Sequence, residues 1–173
     1  MRKTLYFLAL VFLLGCATPA PSPVVKDSHS YSVKNMIATI GLDSMLRNQA
    51  NINLEKVKKD KPSQAHIVDC AMRKMDKGFY LELMTPVFKR YYSKEDAEKL
   101  TELFTKPVGK KLKTYLLAHL DPNKELPHFN KSDAKQIAKY QHLLDLLKES
   151  INDLKDVAKK EATKVAEDCA RSQ

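Results

Sequence analysis

The chain has 173 residues, 30 Lys and Arg against 21 Asp and Glu, a formal charge of +9 at neutral pH, and 4 glycines. That length fits one domain behind a leader, and so few glycines leave little backbone for the shaped loops that many active sites use. The basic balance would suit anionic lipid, cell-wall carboxylates or acidic partners, and a solvated Lys-rich helical surface accounts for it as well. No interleaving of aromatic and basic residues marks a base-stacking surface, so nucleic acid is not an expected partner.

In chain order, Arg2 and Lys3 precede an apolar run from Leu5 to Leu14. Its length of about ten residues is that of a signal-peptide core and half of what a membrane-spanning helix needs. The run ends in Leu13-Leu14-Gly15-Cys16. This arrangement resembles the lipobox of bacterial lipoproteins. The resemblance implies that the Cys16 thiol carries diacylglycerol, that residues 1–15 are cut away after Gly15, and that the new amino group takes a further acyl chain such as palmitate. Ala17 stands where an aspartate would signal inner-membrane retention, so the expected location is the outer membrane of a two-membrane cell, facing the periplasm. No second segment is long and apolar enough to span a membrane, so the anchor would be lipid alone, which holds stably once two or three chains are attached. Removing Arg2 and Lys3 leaves 28 basic residues against 21 acidic, or +7.

Residues 16–31 contain Pro19, Pro21 and Pro23 and show no periodicity; they read as an extended tether, with a helical domain over 32–173. With Cys16 lipidated, Cys70 and Cys169 remain, and an even pair in an oxidising compartment predicts a disulfide.

Ser32 is the expected cap of a first helix, with Met36, Ile37, Ile40, Met45 and Leu46 on its apolar face. Gly41 weakens its middle. The polar stretch Asn48 to Asn53 and the charged stretch Lys56 to Lys61 predict fraying before Pro62. A second helix capped by Ser63 carries Val68, Ala71, Met72, Met75, Phe79 and Leu83 on one face. Pro86 then suits the first turn of a short helix reaching Tyr91 or Tyr92. Ser93, followed by Glu95 and Asp96, opens the next helix, which buries Ala97, Leu100, Leu103 and Phe104. Pro107 starts another, with Val108, Leu112, Tyr115, Leu116 and His119 on its apolar side.

Residues 85–112, TPVFKRYYSKEDAEKLTELFTKPVGKKL, resemble the bacterial domain of unknown function family 2059. Ser93, Glu95, Asp96, Phe104, Pro107, Gly109 and Lys111 match its pattern, whereas Leu103 replaces an aromatic residue and Lys106 a small hydroxyl residue. The resemblance implies a small, exported, all-helical protein and carries no activity. Physically, Pro107 sets the start of a helix, and Gly109 in its first turn lets another helix approach the backbone. The motif therefore reads as a packing corner between helices.

The segment from Asp121 to Asn130 is a loop. Asp121, Asn123 and Glu125 alternate as in a calcium loop, but Leu126 and Ser132 occupy the positions that need glycine and glutamate. Asn130 or Ser132 caps a last helix over 133–169, which would span roughly 55 Å. Ile137, Tyr140, Leu144, Leu147, Ile151, Leu154 and Ala158 alternate by three and four, and the stripe continues through Ala162, Val165 and Cys169. Its Ala-rich, charged second half is the expected part to project or meet a partner, and a homo-oligomer would form through the 133–169 helix.

No nucleophile elbow, zinc-protease motif, phosphate loop or dinucleotide fingerprint is present, so no catalytic residue set and no cofactor are expected. His66 and Cys70 lie four apart, but two ligands do not make a metal site. The expected fold is all-α, an irregular bundle of five or six helices with a long C-terminal helix. The expected function is that of a non-catalytic envelope lipoprotein binding or organising a protein or cell-wall partner. The alternative is a module that carries a lipid or other apolar ligand between its helices. An internal apolar cavity separates the two, and Met36, Met45, Met72, Met75 and Phe79 would line it.

Overall fold

The computed structural model describes residues 27–76, 78–118 and 125–172. The leader, Cys16, the tether up to residue 26, His119 and the start of the calcium-like loop lie outside them. Among the described residues there are eight α-helices and no strand: α1 (Ser28–Ile40), α2 (Leu42–Asp60), α3 (Ala65–Lys74), α4 (Phe79–Phe88), α5 (Lys94–Thr105), α6 (Pro107–Ala118), α7 (Lys131–Ala138) and α8 (Gln141–Arg171), with one 3₁₀ turn at Pro62–Gln64. The fold is all-α with a long last helix. It has eight helices rather than five or six because three expected helices are each divided by a turn, while α4 merges the end of the second with the short helix expected at Pro86.

The first division is at Gly41. Its φ of 84° turns α1 directly into α2, a left-handed conformation that costs glycine little. α1 also begins earlier than Ser32. The Asp27 carboxylate accepts from the backbone N–H groups of His29 and Ser30 at 3.1 and 3.2 Å and so caps the helix. Ser32 is buried instead and donates to Glu98 at 2.9 Å. The boundary expected between residues 31 and 32 therefore moves to Asp27. α2 runs unbroken through Asn48 to Asn53. No glycine or proline interrupts that stretch, and Lys58 and Lys59 lie in its last turn, where the helix dipole favours them.

The second division separates α3 from α4 at Gly78, inside the helix expected from Ser63 to Leu83. Pro86 does not start a helix; it lies inside α4, two residues from its end. The proline removes the N–H that would bond the Glu82 carbonyl, and only Val87 and Phe88 follow it in the helix. The third division lies at Lys139 and Tyr140, so the helix expected over 133–169 is α7 plus α8. Asn130, not Ser132, caps α7 in a reciprocal capping box with Asp133.

The core centres on α1, which packs against α4 and α5. Val33, Met36, Ile37 and Ile40 have no exposed surface. Burial of such side chains stabilises by roughly 1.5–3 kcal/mol each, against about 1 kcal/mol for a cap, so α1 is held chiefly by its apolar face. Tyr92 follows α4, stacks on Phe88 with ring centroids 6.2 Å apart, and donates its hydroxyl to the Leu143 carbonyl at 2.8 Å. Burial pushes its ionisation above the usual tyrosine range. A second cluster joins Ala71, Met75, Tyr80 and Cys169 at the other end of α8. Contrary to the expectation that this end projects, the C-terminal half of α8 packs on α3. No described helix is long and apolar enough to cross a membrane.

Candidate functional site

Cys70 in α3 and Cys169 in α8 form a disulfide. Cys169 is buried beside Ala71 and Met75. This bond uses the sulfur that His66 would need as a metal co-ligand, and no group of three His, Cys, Asp or Glu residues that could hold a metal occurs among the described residues.

The motif residues meet at the corner between α5 and α6. Ser93 caps α5 by accepting from the Asp96 N–H at 3.1 Å. Phe104 is buried at the far end of that helix. Pro107 is the first residue of α6. A Cβ on Gly109 would lie 2.0 Å from the Leu103 carbonyl oxygen and 2.4 Å from the Phe104 Cα. The end of α5 thus rests on the first turn of α6, at a separation only glycine permits. Lys111 leaves the corner and binds Asp133 of α7 at 2.7 Å.

Beyond this corner the helices leave a cleft. α3 and α4 pack closely on α8. Between α8 and the walls formed by α2 and α6, the side chains leave three adjoining spaces of about 300, 260 and 290 Å³. The first lies among Leu46, Leu54, Met75, Phe79, Ala158 and Ala162. The second lies among Leu42, Met45, Met84, Leu116, Ile151 and Leu154. The third lies among Phe104, Leu112, Leu116, Leu144, Leu147 and Ile151, with Lys148 and Asn152 at its side. Leu46 and Gln49 line both the first and second spaces, and Leu116 and Ile151 both the second and third, so the three are neighbours in series along α8. Along α8 they extend from Leu144 to Ala162, about 27 Å of helix.

Of the five residues expected to line a cavity, Met45, Met75 and Phe79 do so. Met36 is fully buried in the core and Met72 lies outside the lining. The residues that join the spaces, Leu46, Leu116 and Ile151, are legible in the sequence only as members of apolar stripes. Lys148 carries no such signal, since it is one of many lysines on a polar helix face. Chemically, the cleft offers an apolar surface with the amides of Gln49 and Asn53 and the Tyr80 phenol toward one end and Lys148, Asn152 and Tyr115 toward the other, and no paired acid and base in its lining.

No protein-family model, curated protein or solved structure matches this chain.

Proposed function

We propose that this protein is a lipid-anchored envelope protein whose helical domain is a non-catalytic binding module for an apolar, lipid-type ligand. The cleft along α8 carries this reading. A packed bundle of this size would fill such a seam with side chains. Here, side chains from α2, α4, α6 and α8 line neighbouring open-sided spaces, each near the lower bound for ligand pockets, with apolar walls and few polar groups. The sequence supports the setting. The charged start, the short apolar run and Leu13-Leu14-Gly15-Cys16 are what a lipobox requires, and Ala17 favours the outer membrane. A domain tethered by acyl chains at Cys16 would work beside a large store of apolar ligand. The Cys70–Cys169 disulfide suits an oxidising periplasm.

The exposed lysines of α8 support a second reading, docking of an acidic protein or cell-wall partner. Lys159 and Lys160 face solvent there without a carboxylate partner among the described residues.

Organic extraction of the domain Val24–Gln173, secreted without its anchor so that no attached chain is counted, tests the first reading. Lipid mass spectrometry should find one apolar species in near-stoichiometric amount. Extracts no richer than those from an unrelated periplasmic protein would reject it in favour of the partner reading.

A further inference from the structure

We infer that the cleft takes a single-chain amphiphile with a carboxylate head, its chain lying along α8 and its head at Lys148 and Asn152. The inference rests on the apolar-ligand reading above and adds the class and direction of the ligand.

Three observations carry it. The first is the shape of the space. Three neighbouring spaces in series along α8, each at or just below the lower bound for ligand pockets, suit one slender chain better than a bulky ligand. The second is charge. Among the residues lining them, Lys148 is the one charged side chain, and it has no carboxylate partner among the described residues. The neighbouring acids of α8 stay out of the lining: Asp145 accepts from Gln141 at 2.9 Å, and Glu149 lies on another side of the helix. The third is the asymmetry of the two ends. Asn152 lies one turn from Lys148, and its side-chain carbonyl oxygen accepts from Lys155 at 3.2 Å, which leaves its amide N–H groups as the donors for a ligand. Toward the other end, the neutral Gln49, shared by the first and second spaces, donates to Asn53 at 3.4 Å. Among the lining residues a formal positive charge occurs at the Lys148 end alone, so the anionic head is placed there and the tail at the Ala158 and Ala162 end, where the Tyr80 hydroxyl is the polar neighbour.

The test uses the full chain in its own membranes. A diazirine analogue of palmitic acid is photolysed with those membranes at mildly alkaline pH, and the labelled peptides are mapped. Label should fall on α6 and α8 around Leu116 and Ile151. Palmitic acid should compete about tenfold better than hexadecanol or hexadecylamine, the factor expected of one charge-assisted hydrogen bond. Lys148→Ala should abolish that preference while the cleft still takes label, and Lys148→Glu should favour the amine. If label stays in the cleft but the alcohol competes as well as the acid, and Lys148→Ala changes nothing, the carboxylate assignment is wrong and the apolar-ligand reading stands. If label falls on surface lysines alone, or nowhere on the chain, both readings fail.

Discussion

Lys111 of α6 donates to the Asp133 carboxylate of α7 at 2.7 Å, and the same Asp133 oxygen accepts from the Asn130 backbone N–H at 3.0 Å. One carboxylate thus closes the capping box of α7 and ties that helix to the α5–α6 corner. The Lys111 hydrogen bond, then that from Asn130, hold the pKa of Asp133 below the usual carboxylate range. Asp27 is held low in the same direction, first by Lys89 and then by Ser30.

The sign of the pH effect follows. A carboxylate whose pKa is lower in the folded chain adds stability above its unfolded value of 3.8 and loses it as pH falls toward the folded value. Stability should therefore hold steady from neutral pH to about pH 5 and decline below about pH 4. Asp133→Asn should make that decline shallower. Urea melts at a series of pH values check this; an unchanged acid limb in the variant would contradict it.

Gly109 carries the tightest approach between helices. Gly109→Leu should destabilise by about 1–3 kcal/mol, the range for overpacking, since the contact is with the α5 backbone and no side chain can move aside. Even Gly109→Ala should lower the melting temperature. Unchanged melting of both variants would mean that the corner is open.

The disulfide closes a loop with a sequence separation of 99 residues. On the chain-entropy account such a link stabilises by up to about 5 kcal/mol. Paired denaturant titrations of the wild type and a Cys70→Ser, Cys169→Ser double variant should separate by several kcal/mol. The effect should reach the cleft too, because the bond holds α8 where Ala158 and Ala162 face Met75 and Phe79. Two free thiols in protein from the native envelope would remove the bond from the account.

Cys16→Ser should leave the chain unable to take a lipid, and fractionation should move the protein from membranes to the soluble fraction. Full retention in membranes would contradict the anchor assignment.

Apolar spacing made most of the helices legible, because burial of an amphipathic face dominates their stability. Met36, Ile37, Ile40, Leu100, Leu103 and Phe104 are all core residues that the stripes identify. The helix breaks were harder. Gly78 and the Lys139–Tyr140 turn interrupt apolar stripes that continue across them, so periodicity alone joins what tertiary packing separates. Pro86 misleads in the opposite direction, since a proline near the end of a helix leaves the same local mark as one at the start. The pairing of Cys70 with Cys169 followed from counting thiols. The cleft did not follow from pattern, because Leu116 and Ile151 have the spacing of ordinary core residues. Whether a stripe meets another side chain or an empty seam depends on where distant helices stop approaching, and no local signal records that.

The most direct measurement is native mass spectrometry of the domain Val24–Gln173 beside its Leu116→Trp and Ile151→Trp variants, each of which puts a large side chain at a residue lining both the second and third spaces. The wild type should fly as a protein with one added mass in the range of a single-chain lipid, and folded variants should fly bare. A bare wild type, or an added mass that both variants retain, would contradict the claim that the cleft along α8 is a ligand site.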